Sequence, residues 1–164
     1  MNPRMIGLSV VVGIAVSLTG CETYKPYNSS ETPPRLTRAA IMVPPNSKEK
    51  MRRAGDIMSV LQKRGIEAII VPPGDEPPKD VDGYFTYTDN WQWDLTMYLA
   101  ELEIELHNAQ TGRLIASARY KQGFVHRYPD PIEIVDNLVG QILGEPPKVS
   151  KPAEKPQNHD MLKN

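Results

Sequence analysis

Ten of the sixteen prolines stand in adjacent pairs: Pro33-Pro34, Pro44-Pro45, Pro72-Pro73, Pro77-Pro78 and Pro146-Pro147. A proline removes a backbone donor and pushes the preceding residue out of helical conformation, so each pair ends the regular element before it. The segments between the pairs carry clear periodicities, and no proline interrupts them. Thr37–Val43 (TRAAIMV) is a short apolar run closed by Pro44-Pro45 and reads as a buried strand. From Lys48 to Arg64 the residues Met51, Ala54, Ile57, Met58 and Leu61 recur at three and four, which is the spacing of one helix face. Asn46 and Ser47 offer capping oxygens before that helix, and Gly65 offers a left-handed cap after it. Ile66–Val71 (IEAIIV) is a second buried strand, stopped by Pro72-Pro73. Strand, helix and strand in so few residues predict a right-handed crossover with parallel strands.

After a proline-rich surface loop at Gly74–Lys79, the pattern changes to alternation. Val81–Thr88 reads as a strand, with Asp89-Asn90 as a turn or bulge. Trp91, Trp93, Leu95, Met97 and Leu99 then alternate, followed by Ala100, Leu102, Ile104 and Leu106 in shifted phase. The spacing predicts one long strand with a β-bulge near Tyr98–Ala100, sending Glu101, Glu103, Glu105 and His107 to solvent. Asn108–Gly112 is a turn, and Arg113–Gln122 continues as the second strand of a hairpin through Leu114, Ala116, Ala118 and Tyr120. Asp130 before Pro131 starts a second helix, with Ile132, Val135, Leu138, Val139, Ile142 and Leu143 on one face and Gly144 at its end. The order β-α-β-β-β-β-α predicts a single α/β (α+β) domain over 37–144. It is expected to be a two-layer sandwich: a mixed sheet with a β-α-β start, an antiparallel meander, and both helices on one face. Residues 21–36, polar and proline-bearing, read as a flexible tether, and residues 145–164 as a disordered tail.

The chain begins with Met1-Asn2-Pro3-Arg4 and the apolar run Ile6–Leu18, the layout of a secretory signal peptide. The run is shorter than the ~20 residues that span a hydrocarbon core, which argues against an uncleaved anchor. An ordinary cleavage site would tolerate any residue at position 21, yet the single cysteine of the chain stands there. Leu18-Thr19-Gly20-Cys21 resembles a bacterial lipobox. That resemblance implies removal of residues 1–20, diacylglycerol on the Cys21 sulfur, and acylation of the new amino terminus. Glu22, in place of the aspartate linked with inner-membrane retention, implies sorting to the outer membrane with the domain facing the periplasm.

A net charge of -1 leaves no basic footprint for nucleic acid and no polybasic patch for a membrane. With its cysteine committed to lipid, the chain has none for disulfides, so stability rests on a packed core. Tyr84–Leu95 (YFTYTDNWQWDL) concentrates both tryptophans. Trp91, Trp93 and Tyr98 are the candidate partner contacts, because large aromatics anchor interfaces; the competing reading is that Trp91 and Trp93 plug one end of the core. A catalytic or metal-dependent alternative needs Asp89, Asp94, His107 and His126 to converge, although no His-Glu-x-x-His or His-x-His spacing supports it. The row Glu101, Glu103, Glu105 reads as a solvated strand face. No nucleophile elbow or glycine-rich phosphate loop is present, and no catalytic residue, metal ligand or cofactor beyond the covalent lipid is assigned.

The segment Tyr87-Thr88-Asp89-Asn90-Trp91-Gln92-Trp93-Asp94-Leu95 is followed by Thr111-Gly112-Arg113-Leu114-Ile115-Ala116, with the lipobox upstream. Together these resemble a family of small proteobacterial lipoproteins over most of Arg38–Gly144. The resemblance implies a lipid-anchored envelope protein and no established activity. The element order is also similar to the amino-terminal domain of the Tol propeller protein and to lipoprotein activators of peptidoglycan synthases, a likeness of fold. The expectation is therefore a non-catalytic binding or scaffold lipoprotein that meets an envelope protein or the cell wall.

Overall fold

The computed structural model describes residues 23–28, 35–45, 48–123 and 129–148. Six strands form one mixed sheet: β1 (Thr23–Asn28), β2 (Arg38–Met42), β3 (Glu67–Val71), β4 (Gly83–Trp93), β5 (Met97–Asn108) and β6 (Leu114–Lys121). The helices are α1 (Lys48–Lys63) and α2 (Pro131–Ile142). The spatial order is β1-β6-β5-β4-β2-β3, with β2 parallel to both β3 and β4 and all other pairs antiparallel. This is the expected α+β sandwich with a mixed sheet and a C-terminal helix.

Both helices cover one face. α1 packs on β2 and β3, α2 packs on β6, β1 and β5, and the helices touch each other. One continuous core joins Ala39 and Ile41, Phe85 and Tyr87, Leu102, Ile104 and Leu106, and Ala116, Ala118 and Tyr120 to Ile57, Leu61, Val135 and Leu138 of the helices. At the parallel end the other face is apolar as well: Val81 and Ala109 pack with Ala40, Met42, Ile69 and Val71. The β3–β4 connection supplies Val81 because β4 lies on the far side of β2 from β3, so the chain must cross β2 to reach it.

The expected ends are present. Asp130 caps α2 by accepting the Ile132 N–H at 3.0 Å, with Pro131 at the first helical position. Gly65 and Gly144 have φ of 76° and 86°, the left-handed conformation that ends each helix. Asn46 and Ser47 lie outside the described residues.

Three expectations are corrected. First, the segment read as a tether contains β1, paired with β6 from Thr23↔Lys121 to Asn28↔Ala116. The proline at 26 hid it, yet an edge strand accommodates a proline whose nitrogen faces away from the ladder. Second, the one long strand expected from Trp91 to Leu106 is divided between β4 and β5: the chain reverses at Asp94–Thr96, where the Asp94 N–H donates to the Thr96 carbonyl at 3.1 Å. Asp89-Asn90, expected as a turn or bulge, lies in β4 beside a register shift at Asn90/Trp91. The reversal was masked because Trp93 pairs with Met97, leaving odd-numbered residues on one face on both sides of the turn. The bulge stands where expected: the partner jumps from Asn90↔Glu101 to Trp91↔Leu99, making Ala100 the extra residue. Third, the start of the supposed tail is docked. Asn137 Nδ2 donates to the Lys148 carbonyl at 2.9 Å, and its Oδ1 accepts the Lys148 N–H at 3.0 Å.

Candidate functional site: the β4–β5 hairpin

The hairpin is gripped at its base on the helix side. Trp91 packs on the core edge, its Nε1 donates to Asp89 Oδ2 at 2.9 Å, and the Arg53 guanidinium lies 5.5 Å from its ring centroid. Arg53 is only 2% exposed and pairs with Asp56 at 2.6 Å. Burial pulls the Arg53 pKa down, against the opposing pull of Asp56 and Asp89. Burial also pushes the Tyr87 hydroxyl well up, with the charge of Asp89 adding to it. On the other face the Tyr98 hydroxyl donates to Gln92 Oε1 at 3.0 Å, across the paired positions Gln92↔Tyr98. The base of the hairpin is therefore held from both sides.

Beyond that base the hairpin leaves the helices behind. Trp93 is 75% exposed, Leu95 90% and Met97 51%. Trp93 and Met97 are paired on one face and Leu95 stands at the apex of the turn between them, so the hairpin tip presents three exposed apolar side chains. Of the candidate contacts, Trp93 is thus presented to solvent, whereas Trp91 and Tyr98 serve to fix the hairpin. Leu95 and Met97 were missed as contacts because unbroken alternation made them look like core.

The residues of the catalytic alternative do not meet. Asp89 lies opposite Leu102 on the helix side, Asp94 is in the tip turn, and His107 lies opposite Tyr84 near the other end of β5, on the open face. Ten residues separate Tyr84 from Asp94 along the chain, roughly 30 Å of strand. His126 is outside the described residues. His107 stacks on Tyr84 with centroids 4.9 Å apart and 6° between planes, and Glu105 Oε2 receives Thr86 Oγ1 at 3.0 Å and lies 3.2 Å from His107 Nε2. Glu101 pairs with Arg119 across the strands. Among the described residues no three His, Cys, Asp or Glu side chains are grouped to hold a metal ion. A pocket of about 260 Å³ beside the hairpin, lined by residues including Asn90, Gln92, Glu101, Lys121 and Gln122, is polar. Small-molecule sites are typically larger and mostly apolar.

No protein-family model and no curated protein matches the chain. Solved structures do. A PelC dodecamer from Paraburkholderia phytofirmans, carrying one substitution, is 13% identical, covering 75% of this chain and 95% of that one at a TM-score of 0.52. A second PelC dodecamer structure from the same organism gives 12% identity, 75% and 96% coverage, and a TM-score of 0.51. At that distance the likeness establishes that this chain shares a fold with PelC.

Proposed function

We propose that the protein is a lipid-anchored, non-catalytic binding or scaffold module of the cell envelope. Its anchor is Cys21, its membrane the outer one, and its domain faces the periplasm. The observation that carries the binding role is the tip of Trp93, Leu95 and Met97, exposed at the end of a hairpin whose base is fixed by Trp91 and Tyr98. Scattered exposed apolar residues are ordinary, but a contiguous cluster marks a contact surface, and Trp and Met are enriched in such surfaces. The rigid base means the contact costs little ordering on binding. The separation of Asp89, Asp94 and His107 weighs against a shared reaction centre.

The test is fractionation of the full-length protein, with mass analysis of the Cys21 peptide. Wild type is expected to carry diacylglycerol and stay with membranes through a high-salt wash, and Cys21→Ser to be released while remaining folded. An unmodified Cys21 overturns the reading. Crosslinking in cells with wild type and Trp93→Ala then identifies what the tip touches.

Self-association is a second reading. It is favoured by the outer edge of β3, which no described strand covers, and by the dodecameric state of the PelC proteins with this fold. Sedimentation showing a monomer at all concentrations overturns it.

A further inference from the structure

The strand register puts the hairpin tip and the start of β1 at the same end of the sheet. Thr23 pairs with Lys121, Lys121 with Glu101, and Glu101 with Asn90, so these four residues form one row across β1, β6, β5 and β4. The tip continues beyond that row by three residues on β4, an overhang of about 10 Å. Cys21 precedes Thr23 by two residues, a reach of at most about 7 Å. The start of β1 and the apolar tip therefore lie at the same end of the sheet, on strands three spacings or about 14 Å apart, and the short link keeps Cys21 near that end. A 15-residue tether would have left the domain free to stand away from the bilayer; a two-residue link does not.

We propose that the tip, Trp93, Leu95 and Met97, inserts into the interfacial layer of the same bilayer that holds the Cys21 acyl chains. This rests on the lipoprotein reading above and names what its contact surface touches. Tryptophan favours the headgroup level, where its ring is buried and its N–H stays wet. Leucine and methionine on the same tip supply the apolar area that interfacial binding requires. The one formal charge in the tip is Asp94, so attraction to anionic lipid plays no part, and the contact should persist in zwitterionic membranes and high salt. Two attachment points would also fix the orientation of the domain, turning its strands end-on to the membrane and its sheet faces sideways.

The experiment uses the full-length acylated protein in phosphatidylcholine vesicles containing brominated lipid. The chain has two tryptophans, Trp91 and Trp93, so fluorescence of wild type and Trp93→Phe separates their signals. The expected result is bromine quenching in wild type that is lost in Trp93→Phe and unchanged by salt. Equal quenching in both proteins, quenching in neither, or free access of aqueous acrylamide to Trp93 overturns the proposal. So does shielding of Trp93 from both quenchers, which indicates a protein contact or a second copy. If Cys21 carries lipid and the protein is vesicle-bound while Trp93 is unquenched, insertion fails and the lipoprotein reading stands. If Cys21 is unmodified, both fail.

Discussion

Arg53 of α1 lies over Trp91 of β4, its guanidinium carbon 5.5 Å from the ring centroid, so a buried cation fixes the tryptophan beside an exposed one. The two tryptophans, two residues apart on one strand face, therefore have different jobs. Trp91→Ala should remove core-edge packing, the cation–π contact and the Asp89 hydrogen bond, costing about 2–3 kcal/mol. Trp93→Ala should change stability by no more than about 0.5 kcal/mol. Urea denaturation of the two variants checks this, and equal losses would mean the tip is packed.

Asn137 is 4% exposed and holds both backbone groups of Lys148. Replacing it with leucine removes both Lys148 bonds and leaves the buried Gln141 Nε2, which donates to Asn137 Oδ1 at 3.1 Å, without that acceptor, at a cost of about 1–3 kcal/mol. Limited proteolysis should cleave near Lys148 sooner in Asn137→Leu than in wild type. Unchanged cleavage would show that the docking does not depend on this side chain.

Acid should destabilise the domain through three carboxylates. Backbone amides of Arg38 and Thr37, with the Thr37 hydroxyl, hold Asp82 below its usual range. Arg64 does the same for Glu145, chiefly by hydrogen bonding. Burial works to raise Asp136, but hydrogen bonds from Lys148 and Arg64 outweigh it. A carboxylate depressed in the folded state stabilises the fold above its unfolded value, near pH 4, and loses that contribution as pH falls through the folded value. Urea midpoints should be level from pH 7 to about 5 and fall below that. The fall should be shallower in Asp82→Asn and Asp136→Asn, and an acid limb identical to wild type in both would refute the assignment.

Gly83 starts β4 in close contact with β5. A Cβ there would stand 2.9 Å from the His107 carbonyl oxygen and 3.0 Å from Leu106 Cδ1. Because the obstacle includes backbone, Gly83→Ala should cost about 1–3 kcal/mol. At Gly140 the nearest atoms are Glu145 Oε2 at 2.8 Å and Arg64 Nη2 at 3.2 Å, the ends of movable side chains. Gly140→Ala also gains about 1 kcal/mol of helix propensity, so its thermal midpoint should stay near that of wild type.

The sequence by itself determined the elements whose signals are local. Proline pairs, the three-and-four spacing of α1, the Asp130-Pro131 start of α2 and the phase change at Ala100 each depend on residues within a few positions of one another. They sufficed for the α+β sandwich, but not for the row Glu101, Glu103, Glu105 and His107, expected in solvent but half-buried, with Glu101 on Arg119 and His107 stacked on Tyr84. Tertiary structure decided what depends on partners distant in the chain. β1 has no apolar alternation and is a strand because β6 offers an edge to Thr23–Asn28. Lys148 is ordered because Asn137 receives it. Trp93 and Leu95 share the alternation of core residues, but α1 and α2 cover the sheet only as far as Trp91, so the same pattern that buries a side chain beneath a helix exposes it beyond the helix end. Alternation specifies which face a side chain takes; the layer packed against that face decides whether it meets core or solvent.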